Sequence, residues 1–194
     1  MPQPNPQIFE EENGLVVMEA ESQPVSDEIF SKANSYRGVW NEWVAETDRA
    51  GFTGACYYRW GGPILKGNPG SGILAYRFHI NRPGRYRLVL RSFSQASGVD
   101  NATFTRLDGG QWLKGKSKVH GEWTWSWMYE FHHNDANPSR EPCWHQLNVG
   151  LHTLEISGRC TDFCFDRLVW VMEGVSFEDP ALPQSPVAQP EWQA

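Results

Sequence analysis

Apolar residues along this chain recur at every second position in short runs broken by Gly, Pro and Asn. That period belongs to half-buried strands, and almost no stretch carries the period of an amphipathic helix. The segment "LVVMEAE" (Leu15–Glu21) reads as the first strand and "ACYYRW" (Ala55–Trp60) as another. In "ILAYRFHI" the residues Leu74, Tyr76, Phe78 and Ile80 share one face. After the turn "NRPG", "RYRLVLRSF" puts Tyr86, Leu88 and Leu90 on one face and Arg85, Arg87 and Arg91 on the other, so the two runs are expected to form a hairpin.

Further strands follow in "NATFTRLDGGQW", which leaves through Asp108-Gly109-Gly110, and in "EWTWSWMYEF", where Trp123, Trp125 and Trp127 alternate. A second hairpin is expected from "CWHQLNV" and "LHTLEIS" around Gly150, and "FCFDRLVWVM" (Phe163–Met172) reads as the last strand. Nine to eleven short strands at regular spacing predict an all-β fold, an antiparallel β-sandwich of the jelly-roll type. The ends of a domain often meet, so the first and last strands are expected to be neighbours.

The stretch from Ser22 to Gly54 has no clean period and reads as a long functional loop, with Tyr36, Arg37, Trp40 and Trp43 among polar neighbours. The start, "MPQPNPQ", and the end, "EDPALPQSPVAQPEWQA", are polar and Pro-rich. The expected organisation is a linker over 1–13, one domain over 14–174 and a Pro-rich tail or linker over 175–194. That is the layout of a module joined to other domains of a larger secreted or cell-surface protein, with no signal peptide in this stretch.

Composition narrows the function. A chain of 194 residues with 40% hydrophobic content can bury one real core. Net charge of -6 gives no footprint for nucleic acid, and no run of about 20 apolar residues is present to span a bilayer. Ten tryptophans are many for this length; some are expected in the core, and so many also point to flat aromatic surfaces used for binding. Cys56, Cys143, Cys160 and Cys164 have no CxxC spacing, so a zinc ribbon is not expected. Free buried thiols and a disulfide are both open, and four cysteines allow three full pairings.

One carboxylate stands out. Asp166 lies inside the apolar run Phe163, Phe165, Leu168, Val169 and Trp170 and must be paired, hydrogen-bonded or bound to a metal. Glu19 and Glu21, two apart on the first strand, would point to one face and repel unless a cation or proton sits between them. With Asp166 they could form a hard-oxygen set suited to Ca²⁺; independent charges on a solvated strand edge are the alternative.

"VVMEAES", "GILAYRFHINRPGRYRLVLRS" and "GLHTLEISGRCTDFCFDRLVWV" resemble family 6 and family 35 carbohydrate-binding modules, and "ACYYRWGGP" and "RLDGGQW" resemble modules appended to bacterial polysaccharide-degrading enzymes. The resemblance runs from about Leu15 to Met172. It implies a galactose-binding-like β-sandwich with a structural Ca²⁺ on Glu19, Glu21 and Asp166. It also implies a non-catalytic, monomeric module that holds a larger protein on a polysaccharide or oligosaccharide. Ligand contacts would come from the loop rim or the concave sheet face, through Tyr36, Arg37, Trp40, Trp43, Arg59, Trp60, Trp125 (or Trp123) and Asp162. Sugars lay their C–H faces on aromatic rings while polar side chains bond the hydroxyls. The Trp123, Trp125, Trp127 alternation is equally a core stripe. Thr161-Asp162 stand where the family carries Asn. Arg37, Arg59, Lys114, Lys116 and Lys118 could read an acidic or sulfated algal glycan.

Two other readings compete. His132, His133 and Asp135, with Tyr129, could serve a polysaccharide lyase or hydrolase, although no nucleophile motif and no clear pair of catalytic carboxylates is present. A Trp-rich loop also suits a protein-interaction module of a surface protein.

Overall fold

In the computed structural model, residues 7–25, 42–93, 101–117, 121–129 and 142–188 are described. They form twelve strands: β1 (Ile8–Glu10), β2 (Leu15–Glu19), β3 (Trp43–Glu46), β4 (Tyr57–Trp60), β5 (Leu74–Ile80), β6 (Gly84–Phe93), β7 (Ala102–Leu107), β8 (Leu113–Lys116), β9 (Thr124–Tyr129), β10 (His145–Leu147), β11 (Gly150–Ser157) and β12 (Cys164–Met172). The sheet curls so that its two halves face each other as a β-sandwich. One layer runs β1-β5-β11-β7-β8 and the other β9-β6-β12-β4-β3, with β8 pairing β9 where the layers join. All pairs are antiparallel except β1 with β5. The all-β sandwich expected from the alternation is the fold found.

The core fills the space between the layers. Leu74, Tyr76, Phe78 and Ile80 are buried on one face of β5, as their spacing predicts, and pack with Tyr86, Leu88 and Leu90 of β6 and with Leu168 and Trp170 of β12. Phe78 stacks on Trp170 across the sandwich at 5.4 Å.

The two expected hairpins are not formed. β5 pairs with β1 and β11, whereas β6 pairs with β12, β9 and β10. β10 pairs with β6 and β11 with β5 and β7. Each turn therefore carries the chain from one layer to the other. Period two reports which side chains face the core; it is the same for two strands side by side in one sheet and for two strands facing each other across the core.

The first and last long strands are neighbours, as expected: β2 pairs with β12, Glu19 opposite Arg167. Both ends of the chain that read as linkers are packed where they are described. Ile8–Glu10 is a strand on the edge of β5, and the Phe9–Val187 bridge and the Val17 N–H bond to Ser185 Oγ (2.9 Å) hold the C-terminal segment on the domain. Phe177 is buried with Val17, Val89, Val169 and Val171 on the outer face of the second layer. The long loop also contains β3, at Trp43–Glu46. All four cysteines are free thiols.

Candidate functional site

A bulge in β12 answers the question that Asp166 raised. Its register against β6 shifts between Phe165 and Arg167, so Phe165 and Leu168 both reach the core although they are three apart. The side chain of Asp166 is fully buried and finds a cation on β6: Arg91 Nη1 donates to its Oδ2 at 2.7 Å. Thr53 donates to the same oxygen from its backbone N–H (2.7 Å) and to Glu19 Oε2 from its hydroxyl (2.9 Å). Burial pushes the Asp166 carboxyl up to about 6, although Arg91 and the Thr53 N–H pull it down.

Glu19 is buried and accepts from Arg167 Nε (2.9 Å) and Nη2. Glu21 is not on the strand. The chain leaves β2 into a 3-10 turn at Ala20–Ser22, so the expected same-face pairing of Glu19 and Glu21 on a strand is replaced by a turn that points Glu21 at the Ala55 N–H. Burial raises the Glu21 carboxyl, and Glu19 adds to the rise.

The three carboxylates thus gather around Thr53–Ala55. Asp166 Oδ1 and Glu21 Oε2 are buried and have no hydrogen-bond partner. Two orphaned carboxylate oxygens in one acidic cluster are donors of the kind a hard cation takes. The guanidinium groups of Arg91 and Arg167 already balance part of the charge. Among the described residues no group of three or more His, Cys, Asp or Glu side chains is spaced to hold an ion.

Above this cluster, strand register builds a row across the outer face of the second layer. Val44 lies opposite Arg59, Arg59 opposite Cys164, and Cys164 opposite Phe93. Trp123, just before β9, closes the row with its ring 5.5 Å from Phe93 and 5.4 Å from Tyr57. Arg49 lies 4.5 Å from the Phe93 ring, and Phe52 lies 5.7 Å from Tyr57. The polar members are paired: Arg59 donates to Glu46 Oε1 from Nε and Nη2 at 2.7 Å and to Asp162 from Nη1 at 3.1 Å. Tyr57 donates to Glu46 Oε2 (3.1 Å) and to Asp48. Burial opposes the Arg59 charge, but Glu46 outweighs it and raises its pKa. Arg59, Glu46, Phe93 and Trp123 are half-buried and Asp162 is exposed, so rings and paired charges both reach solvent.

The expected ligand residues separate on this structure. Arg59 and Asp162 come together, in contact. Trp43 (2% exposed) and Trp60 (0%) do not stand on a rim; they are core. Trp43 packs edge-on to Trp60 and Phe165, and Gly158 lies so close under Trp60 that a Cβ there would collide with the indole. Their large apolar areas are worth more inside than outside, which spacing in a polar loop concealed. Trp125 lies edge-on to Phe177 at 5.9 Å, packed beneath the C-terminal segment. Tyr36, Arg37, Trp40, Lys118, His132, His133 and Asp135 lie outside the described residues. Lys114 is buried on β8 of the other layer, and Lys116 shares that strand, so neither joins Arg59 in a basic cluster. Missed by sequence reasoning were Glu46, Tyr57 and Phe93, whose only signal was position on strands; their meeting depends on cross-strand register.

No protein-family model and no curated protein matches the sequence. Similar solved structures exist. A GH26-CBM35 β-(1,4)-mannanase of Podospora anserina is 17% identical with a TM-score of 0.55, over 86% of this chain and 29% of that one. A family 35 carbohydrate-binding module from Clostridium thermocellum is 19% identical with a TM-score of 0.47, over 80% of this chain and 96% of that one. A cycloisomaltooligosaccharide glucanotransferase of a Paenibacillus species is 15% identical with a TM-score of 0.49, over 83% and 19%. The chain thus spans less than a third of the mannanase and of the glucanotransferase. This chain shares its β-sandwich fold with the matched 29% of the mannanase.

Proposed function

We propose that this chain is a non-catalytic carbohydrate-binding module of the family 6 and family 35 type, and that it binds sugar on the outer sheet face at Arg59, Glu46, Asp162, Phe93 and Trp123. The observation that carries the reading is the row itself: aromatic rings beside guanidinium–carboxylate pairs, half-exposed on a rigid sheet. A sugar hydroxyl both donates and accepts, and a paired Arg and Glu offer it both partners at fixed spacing. The same pairing leaves little net positive charge, so the geometry favours a neutral polysaccharide over the acidic or sulfated algal glycan expected from the arginines and lysines alone. The fold likeness to a mannanase whose name includes a CBM35, and the sequence resemblance, support the module reading.

The carboxylates are of the type the implied metal takes, but their side chains are not spaced as a formed ion site here, so the metal is proposed on the two orphaned oxygens and the family resemblance. Glu19, Glu21 and Asp166 would hold a structural Ca²⁺ through oxygens that include the two orphans, and the ion would neutralise buried charge and tie β2 to β12. In this reading the parent protein is secreted or displayed on the cell surface, and the module holds it on its polysaccharide. Among the described residues no helix is long and apolar enough to cross a membrane.

The test is affinity gel electrophoresis of the chain in soluble β-1,4-mannan, neutral glucans, alginate and sulfated galactan, with Trp123→Ala, Arg59→Ala and Trp40→Ala alongside. Retardation in a neutral gel that Trp123→Ala and Arg59→Ala each abolish is expected. Retardation lost only in Trp40→Ala moves the site to Trp40 and its sequence neighbours; retardation only in charged gels reverses the preference for neutral sugars; none in any gel refutes the module reading.

A further inference from the structure

The segment Asp48–Ala55 supplies Arg49 and Phe52 to the sheet-face platform, and its Ala50 carbonyl accepts the Trp123 indole N–H at 3.0 Å. Gly51, with φ of 93°, lies under that indole, and a Cβ there would stand 3.1 Å from its Cδ1. The ties from this segment to the sandwich are made through side chains. Thr53 is bonded to Asp166 and Glu19, and Ala55 to Glu21. Arg91 uses both arms of its fork: Nη1 bonds Asp166 and Nη2 bonds the Gly51 carbonyl at 2.6 Å. Its guanidinium also lies 5.7 Å from the Trp123 ring centroid.

We infer that Asp166 and Arg91 are positioning residues for the ligand platform: together they fix the Asp48–Ala55 segment and, through the Ala50 carbonyl and the guanidinium, the Trp123 ring. Neither residue touches the sugar in this arrangement. The physical reason is that a turn-rich segment with a positive-φ glycine has many competing conformations. A buried, charge-assisted bond selects one of them far more strongly than exposed contacts do. Asp166 is placed for this by the β12 bulge, and Arg91 can serve it because only a planar fork reaches both the carboxylate and a carbonyl. The acidic cluster then acts on binding as well as on stability. The functional half of this inference rests on the sheet-face reading above; the positioning half does not.

The test pairs hydrogen-exchange mass spectrometry of the whole chain with gel retardation in soluble β-1,4-mannan and the neutral glucans. It compares Asp166→Asn, Arg91→Lys and the milder Thr53→Val with the parent chain. Peptides covering 48–55 are expected to exchange at least tenfold faster beyond any speed-up shared with β5 and β11, and affinity to fall about tenfold. The excess over β5 and β11 separates local release from general destabilisation, and the milder Thr53→Val keeps the test decisive if Asp166→Asn does not fold. Exchange over 48–55 without that excess in folded variants overturns the positioning. Faster exchange with undiminished retardation, in a chain whose binding Trp123→Ala abolishes, overturns the coupling to binding. Retardation that survives Trp123→Ala as well overturns the sheet-face reading, and the exchange rates alone then decide the positioning.

Discussion

Replacing Arg91 by Met removes the only cation bonded to Asp166 among the described residues while keeping an apolar stem of similar length. Asp166 has no solvent exposure in its side chain, so its charge cannot turn to water. At pH 9, about three pH units above the Asp166 carboxyl, escaping the lost cation by taking up a proton costs about 4 kcal/mol, so removing one partner of such a pair there costs about 3–5 kcal/mol. An exposed pair would cost at most about 1 kcal/mol. Against a total stability on the order of 5–15 kcal/mol, the loss is large. With a urea dependence of about 2 kcal/mol per molar, the midpoint falls by about 2 M. Arg91 also bonds Gly51 and lies by Trp123, so a single substitution does not isolate the pair. A double-mutant cycle does: Arg91→Met is measured in the parent and in the Asp166→Asn background, by urea unfolding followed by circular dichroism, at pH 9 in chelator. In the Asp166→Asn background the cost should fall by at least half. Additive costs, or an Arg91→Met cost below about 1 kcal/mol, would refute the buried-pair argument.

Other outcomes follow from the same geometry. Adding Ca²⁺ at about a hundred times its dissociation constant should stabilise the chain by about 2.7 kcal/mol, read as a rise in thermal midpoint that chelator reverses and Glu21→Ala abolishes. In chelator, the Asp166 carboxyl sits at about 6 in the fold against an ordinary 3.8, so the folded chain holds its proton more tightly than the unfolded one. Stability should therefore fall as pH rises from about 4 to about 6, by about 3 kcal/mol, and Asp166→Asn should flatten that part of the urea-midpoint profile. Trp60→Ala should cost about 3–5 kcal/mol as a core truncation, whereas Trp123→Ala should cost far less and act on binding; equal costs in thermal unfolding would contradict the assignment of one to core and the other to platform. Burial holds the Cys164 thiol up at about 12 and the Cys56 thiol up at about 11, so at pH 8 an aromatic disulfide reagent should label both slowly until the chain is denatured.

What the sequence by itself determined is which side of each strand faces inward. The alternation Leu74, Tyr76, Phe78, Ile80 and the single carboxylate in the last strand are local facts, because side-chain direction in a strand follows from residue parity alone. The sandwich, the meeting of the first and last strands, and the need of Asp166 for a partner were all legible on that basis. Only the tertiary structure decided the partners. Strand pairing is made by backbone groups that every residue carries, so parity could not tell that the "NRPG" turn crosses between layers. Nor could it show that Arg91, 75 positions before Asp166, is the cation beside it. A one-residue bulge and a 3-10 turn moved Asp166 and Glu21 out of strand parity, and only the packed chain shows either. The same limit misplaced Trp43 and Trp60, since burial depends on what the rest of the chain lays over a residue, and it hid the platform at Glu46, Tyr57 and Phe93, which exists only across four strands at fixed register.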